Sequence, residues 1–411
     1  MKRQLIKQMR NEWRSNLWIL TELTIVSLVL WGIFTYLYCL FQKHKDYEGY
    51  DFTDIYIGYI HEIPENSPSY KEYDENHSKF TDLDELMRRI NANQAVEIAG
   101  TATNGMPYSY NYTGNELSID IDTVTYKYAG NCRELSPEAA IAIRMKGVNG
   151  ETTEQIAEIL RSGGCLITPY EREPNENKIS DPGVFVGKDA YYSYRPELKF
   201  HIGGYVYPMR RNNYEIPMDG TIFSEPSKGW MPDQVVIRIK PGTDAQFIES
   251  MKGSEIEAGN VYITNIKSIS RMKESVLMDL TINLGKLVTG AIFMLVVIFL
   301  GFLGTFWFRT QQRVTEIAVR KVNGATDSDI FRRFISEGLI LLAIATVAAT
   351  AIELYFMLTE NTLIQLRENT RCGYICMAIT ATVLALMIIA GIFFPARKAM
   401  KTDASQALKD Q

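Results

Sequence analysis

The sequence predicts an α-helical membrane protein with four transmembrane helices and an α+β domain outside the membrane. Three observations support this fold class. The 411-residue chain holds four long apolar segments, about 245 more polar residues separate the first segment from the second, and charge is distributed unevenly around them. The average composition, with 46% hydrophobic residues and a net charge of −5, is close to that of a soluble protein and conceals this segregation.

Each apolar segment is long enough to cross a bilayer, whose hydrocarbon core needs about 20 helical residues. The segments at 287–308 and 373–396 hold no charged residue, whereas 17–41 holds Glu22 and 338–358 holds Glu353. We predict one transmembrane helix over each segment. Both glutamates lie near enough to a segment end to reach the membrane surface, which we favour over a functional role.

The charge of the connecting regions predicts the orientation. Residues 1–16, 309–337 and 397–411 together carry a net charge of +8, whereas residues 42–286 carry −11 and residues 359–372 carry none. Cytoplasmic loops of membrane proteins are enriched in Lys and Arg. We therefore expect a cytoplasmic N-terminus, a cytoplasmic segment at 309–337 and a cytoplasmic tail, with the large domain and the short loop at 359–372 in the periplasm.

The large outer region is predicted to form two lobes. A β-α-β pattern occurs near each of its ends, in 42–116 and in 233–267, and these parts are expected to pack as one lobe. Residues 117–232 between them are rich in strand patterns and form a second lobe inserted into the first. Apolar residues at helical spacing in 268–286 predict a stalk helix that continues into the second span.

Local signals define two helices inside this region. Thr81 and Asp84 resemble a capping box at the start of an amphipathic helix. Gly163 and Gly164 are placed to end a second helix, at 151–161.

The sequence lacks the motifs of common catalytic and nucleotide-binding sites. It contains no G-x-x-x-x-G-K-[ST] loop to hold nucleotide phosphates, and no H-E-x-x-H, C-x-x-C or G-x-S-x-G. Its four His residues are scattered through 42–286 without metal-ligand spacing. We therefore predict no catalytic site, cofactor or metal site in this chain, and no nucleic-acid partner.

The cysteines leave two alternatives open. Cys132 and Cys165 would share an oxidising compartment under the predicted topology and could form a disulfide, but buried free thiols fit equally well. Cys372 and Cys376 lie one helical turn apart at the outer end of the fourth span, where apolar packing is favoured.

The segment at 309–337, called the coupling segment below, carries the most specific pattern. Residues 316–322 fit a short helix, and Gly324 is placed to end it. Thr326 and Asp329 form a capping box for a second helix with an apolar face. We predict two short amphipathic helices along the inner membrane face; the alternative is a solvated connector.

Residues 316–338 resemble the hallmark of the FtsX/MacB-like permeases of ABC systems. They read E-I-A-V-R-K-x-x-G-A-T, followed by D-I and E-G. The tail is similar to the closing motif of the same family, with P-A-R-K-A at 395–399 and D-A-S-Q-A-L at 403–408, but it has Ala404 where that family usually has Pro. The order of one span, a large outer domain and three spans also matches.

The resemblance implies a bacterial inner-membrane permease subunit that works with separate cytoplasmic ATPase subunits and a second permease chain, identical or different. Proteins like MacB work by mechanotransmission, in which closure of the inner parts on ATP moves the outer domains. A periplasmic adaptor and an outer-membrane channel are further implied partners. The residues expected to couple to the ATPase are Glu316, Ile317, Arg320, Gly324, Ala325 and Thr326.

Two functions follow from the resemblance. The first is export or extraction (efflux) of a drug, a peptide or a lipoprotein by a MacB-like system. The alternative is an FtsX-like transmitter that controls a cell-wall hydrolase in the periplasm. The large outer domain favours the first.

Overall fold

The computed structural model describes residues 13–44, 46–109, 113–170, 179, 181–215, 220–227, 229–252, 256–358 and 370–400. The predicted tail motif at 403–408 and most of the predicted loop at 359–372 lie outside the described residues. The chain divides into two compact units. We call Met1–Gln42 with Asp279–Gln411 the helical unit, and Lys43–Met278 the sheet unit.

The regular elements of the described residues are numbered here in chain order. The helices are α1 (Trp13–Lys43), α2 (Lys79–Ala92), α3 (Pro137–Ala142), α4 (Thr153–Arg161), α5 (Asp244–Ser250), α6 (Ile269–Gln312), α7 (Val314–Val322), α8 (Asp327–Leu358) and α9 (Thr370–Met400). The strands are β1 (Ile55–Glu62), β2 (Val96–Thr103), β3 (Gly114–Ile121), β4 (Val124–Leu135), β5 (Cys165–Ile167), β6 (Asp189–Tyr192), β7 (Arg195–Tyr205), β8 (Gly220–Ser224), β9 (Gln234–Ile239), β10 (Glu257–Ala258) and β11 (Val261–Ser268).

Four helices of the described chain, α1, α6, α8 and α9, are long and apolar enough to cross a membrane. They cover the four predicted spans, so the predicted membrane fold class is confirmed. Helix α6 is continuous over both the predicted stalk and the second span.

The helical unit has an apolar core between its long helices. Leu23 and Leu30 of α1, Phe302 of α6, and Leu384 and Ile388 of α9 are at most 1% exposed. A hydrogen bond adds a fixed point, because the indole N–H of Trp31 donates to the carbonyl oxygen of Gly373 at 2.8 Å. A buried indole N–H needs such an acceptor.

The sheet unit is built on one sheet in which β10, β11, β1, β9 and β2 follow one another as antiparallel neighbours. Helices α2 and α5 cover one face through a core that includes Leu86, Ile90 and Phe247. Helices α3 and α4, together with the first turns of α6, contribute to a second core that includes Val236 of β9.

The remaining strands close into a six-stranded barrel. The order β4, β3, β6, β7, β5 and β8 returns to its start, because β8 also pairs with β4 in parallel. Tyr128 is fully buried in the barrel core, and its hydroxyl group donates to the carbonyl oxygen of Thr168 at 2.9 Å while accepting the N–H of Thr168 at 3.1 Å. The buried hydroxyl of Tyr128 therefore has hydrogen-bond partners, as buried polar groups usually do.

Two details differ from the sequence predictions. The division into two lobes is not confirmed, because residues 43–278 form one compact unit and β2 joins β4 in the same sheet through Ala102 and Leu135. The capping prediction at Thr81 is wrong. Helix α2 begins earlier, after Ser78, and Thr81 occupies its third position, where the hydroxyl accepts the Ser78 N–H at 3.3 Å. The usual capping box has Ser or Thr at the N-cap and Glu or Gln at the third position, so the pattern predicts the threonine at the N-cap, which is three residues earlier in the structure.

Candidate functional site

The coupling segment forms two helices that meet at a tight turn. Helix α7 ends at Val322, and Gly324 follows with φ of +87°. The N–H of Gly324 donates to the carbonyl of Lys321 at 2.9 Å, and the N–H of Ala325 donates to that of Arg320 at 3.0 Å. This pair of bonds is a Schellman motif, whose left-handed residue is usually glycine.

The second helix, α8, begins immediately after this turn. The prediction of a second short helix is wrong, because α8 continues without a break into the third span and ends at Leu358. The hydroxyl of Thr326 accepts the N–H of Asp329 at 3.2 Å, and the carboxylate of Asp329 accepts the N–H of Thr326 at 3.1 Å. Asp329 serves here in place of the Glu or Gln more usual in a capping box. The turn and the cap predicted from Gly324, Thr326 and Asp329 are both present.

Ion pairs tie the two helices together. Glu316 of α7 binds Arg320 one turn later at 2.8 Å and lies 3.8 Å from Arg333 of α8. Arg313, just before α7, binds Glu337 of α8 at 2.7 Å with both side chains nearly buried, 13% and 6% exposed. The half-exposed Glu316 pair contributes little to stability, whereas separating the buried Arg313 pair would leave a charge unpaired.

The six predicted coupling residues do not form one surface. Ile317 is 4% exposed and packs in the core of the helical unit with Ile330 and Phe334, so it contacts this chain rather than solvent. Gly324 and Thr326 are exposed, whereas Glu316, Arg320 and Ala325 are half-buried.

Sequence reasoning missed two exposed residues of α7. Val319 and Val322 are 46% and 70% exposed. Their positions give the available signal, since rotation by 100° per residue turns both away from the side that carries Ile317. Helix α7 is rich in charged residues, so two valines on the side opposite Ile317 indicate a second contact surface.

The thiols of Cys132 and Cys165 are free in the structure, with Cys165 buried and Cys132 partly buried. Strand β8 lies between their strands, because Ile222 pairs with Cys132 on one side and with Ile167 on the other. Strands two places apart lie about 9.6 Å from each other, which exceeds the usual reach of a disulfide. Burial raises the pKa of both thiols, that of Cys165 to about 12.

Among the described residues, no group of three or more His, Cys, Asp or Glu side chains could hold a metal ion.

Comparison with known proteins gives a family match for the C-terminal part of this chain. Residues 288–404 match the family described as FtsX-like permease C-terminal. This range contains the coupling segment and the three spans around it. The C-terminal part of the chain is therefore similar to the C-terminal domain of FtsX-like permeases, as the pattern at 316–338 predicted.

The other comparisons add little. The chain is similar to the extracellular domain of the noncanonic ABC-type transporter YknZ from Gram-positive bacteria, with 8% identity and a TM-score of 0.31 over 51% of this chain and 100% of that one. A similarity this low does not establish a shared fold. The comparison with curated proteins gave no match.

Proposed function

We propose that this chain is the permease subunit of a MacB-like ABC system, in which ATP hydrolysis on a separate cytoplasmic subunit moves the sheet unit for export or extraction of a drug, peptide or lipoprotein. The observation that carries the proposal is the FtsX-like domain at 288–404, with the two-helix coupling segment inside it. The chain contributes no P-loop, so the energy comes from a partner.

The exposed side of α7 is the proposed ATPase contact. Val319 and Val322 project from a helix that also presents Arg320 and ends at the exposed Gly324 turn. Small apolar patches bordered by charged groups are typical of protein contacts. Ile317 then acts from inside, by fixing α7 to the core of the helical unit.

Helix α6 is the proposed transmission element. Its 44 residues correspond to about 66 Å of continuous helix. The first turns pack in the sheet unit through Ile269 and Met272, and the later turns belong to the helical unit. A helix without a break transmits displacement along its axis more directly than a flexible linker does.

The proposal includes the wider assembly. Two permease chains, identical or different, pair with the ATPase subunits in a bacterial inner membrane, with both termini cytoplasmic and the sheet unit periplasmic. An adaptor and an outer-membrane channel would then complete an efflux pathway. The alternative function is FtsX-like control of a cell-wall hydrolase. The two are distinguished by identifying which protein binds the sheet unit: an adaptor supports export, and a peptidoglycan hydrolase supports signalling.

The ATPase contact is tested by co-purifying the tagged full chain with a P-loop ATPase subunit expressed in the same cells. Val322→Asp places a charge on a 70% exposed position and is expected to lower ATPase recovery about tenfold, or by 1.4 kcal/mol of binding free energy. Arg320→Glu is expected to act in the same direction. Glu197→Arg on the exposed part of β7 is the matched control. Undiminished recovery with both α7 variants would refute the assignment.

A further inference from the structure

Residues 43–54 run from the last residue of α1 to β1, and 44 and 46–54 form neither helix nor strand. We call this segment the strap. Only residue 45 of it lies outside the described residues. Sequence alone suggests a hydrophilic loop, and such loops are usually mobile. In the structure, however, arginine side chains from three other parts of the sheet unit hold the strap: β9, the residues after α3 and the segment after β7.

Arg238 of β9 holds the end next to β1. Its side chain is 3% exposed, and its Nη1 and Nη2 groups donate to the carbonyl oxygens of Thr53 at 2.9 Å and Asp51 at 2.5 Å. Its Nε group donates to the carbonyl oxygen of Ala142, the last residue of α3. One buried guanidinium therefore joins the strap, β9 and α3.

Asp51 adds a second attachment at the same place. Its carboxylate binds Arg144 at 3.0 Å and Arg238 at 3.4 Å, and its N–H donates to the carbonyl of Ile143 at 2.8 Å. Partial burial opposes ionisation of Asp51, but hydrogen bonds from Thr53 and the two guanidinium groups outweigh it and lower the pKa. The carboxylate is thus charged and held at neutral pH.

The middle of the strap and the end next to α1 are held by the segment after β7. Arg210 donates to the carbonyl oxygen of Lys43 at 3.1 Å and accepts from the hydroxyl of Tyr47 at 3.3 Å through its own carbonyl. The hydroxyl of Tyr50 donates to the carbonyl of Tyr207. Gly49 has φ of +77°, and a Cβ there would collide with the ring of Tyr207, so the backbone itself packs against that ring.

We propose that the strap is a second transmission element and that Arg238 is its positioning residue. This inference rests on the proposed function, in which the sheet unit is moved. Hydrogen bonds to a charged donor are stronger than neutral ones, and a buried guanidinium stripped of acceptors is costly. The strap therefore follows β9 and α3 as they move, and the chain that leaves α1 enters the sheet unit as an ordered segment rather than a loose tether.

Hydrogen exchange of the full chain, co-purified with its ATPase, tests the structural half. In the wild type the amide of Asp51 should exchange as slowly as those of β1. Arg238→Gln should accelerate exchange across 47–54 at least about tenfold, which equals a loss of 1.4 kcal/mol in protection, while α2 stays unchanged. Arg88→Gln, which removes an exposed pair with Glu85, is the control. Rapid exchange of the wild-type strap would overturn the inference.

The functional half compares the same complexes with ADP and with a non-hydrolysable ATP analogue. The wild type should show nucleotide-dependent exchange in the sheet unit, and Arg238→Gln should lose most of that response while still hydrolysing ATP. A full response in a variant with a loosened strap contradicts the inference alone. Absence of any response in the wild type contradicts the proposed function itself.

A second variant covers the case in which Arg238→Gln does not fold. Arg144 is half exposed, so Arg144→Gln weakens the attachment of Asp51 without unpairing a buried charge. It should give a smaller acceleration confined to residues near Asp51, with the nucleotide response reduced in proportion. An unreduced response alongside accelerated exchange would again exclude the strap as a transmission element.

Discussion

At the scale of single residues, Gly324 decides how the coupling segment turns. Its φ of +87° is easily reached only without a Cβ. We predict that Gly324→Ala lowers the free energy of unfolding by about 1–2 kcal/mol, the cost of a left-handed alanine, and lowers the Tm of the full chain in detergent. Gly285→Ala is the matched control, because Gly285 lies in helix α6 with open space around its Cα and should tolerate alanine. Equal Tm values for the two variants would contradict this account.

Cys165 provides a residue-scale prediction with a defined pH dependence. Burial raises its pKa to about 12, above the value of about 8.5 in an unfolded chain. The folded state therefore keeps the proton. The stability that the folded chain gains by burying the neutral thiol is fully present below about pH 8.5. It is lost as the pH rises toward 12.

The corresponding measurement is alkylation by iodoacetamide at pH 8, followed by mass spectrometry. Because the thiolate is the reactive form, Cys165 should react far more slowly in the folded chain than in denaturant, where it should react like an ordinary thiol. A Cys132–Cys165 disulfide found without added oxidant would be inconsistent with the barrel.

At the scale of elements, one nearly buried ion pair joins the residue before α7 to α8. Glu337→Gln leaves Arg313 without its carboxylate partner at a site where both side chains are nearly buried, so we expect a destabilisation of about 3–5 kcal/mol. Glu316→Gln is the control, since its pair with Arg320 is half-exposed and is worth about 0–1 kcal/mol.

The double variant Arg313→Gln/Glu337→Gln distinguishes the stability contributed by the ion pair from that contributed by the packing of each side chain. If the pair matters as a pair, the double variant should lose less stability than the two single variants combined, as measured by Tm and by denaturant unfolding. Strict additivity would show that the two side chains act independently.

Elements also show where sequence reasoning succeeds. The turn at Gly324 and the cap formed by Thr326 and Asp329 depend on residues within five positions of one another, so their chemistry is readable locally. The burial of Ile317 depends on Ile330 and Phe334, and closure of the barrel depends on pairing β4 with β8 about 90 residues away. Such contacts between distant segments are set by packing, which no local pattern encodes.

The order of the strap is a second feature that its own sequence does not predict. Nothing in residues 43–54 indicates order, because the groups that hold the segment, Arg210 and Arg238, lie more than 150 residues later. From the sequence alone, Arg210 and Arg238 would be expected to be charged residues on the surface. Only the fold reveals that their guanidinium groups are directed at backbone carbonyls.

At the scale of the whole molecule, segregation of charge and hydrophobicity organises the chain. The net charge of −5 is the sum of a basic set of connecting segments, four apolar helices and an acidic sheet unit. An acidic domain and a basic coupling segment on the same chain favour opposite sides of a bilayer, because basic segments are retained in the cytoplasm.

This orientation is the final prediction, and it can be measured with single cysteines introduced into a variant of the full chain that lacks its five native ones. Glu197→Cys lies on the exposed part of β7 in the sheet unit, and Ser328→Cys is exposed at the start of α8. In spheroplasts, a membrane-impermeant maleimide should label Glu197→Cys at once and Ser328→Cys only after permeabilisation. If Ser328→Cys were labelled at once and Glu197→Cys only after permeabilisation, the topology would be the inverse of the predicted one. The coupling segment would then be out of reach of a cytoplasmic ATPase. Labelling of both cysteines after permeabilisation is the internal control, because it shows that neither site is blocked by folding.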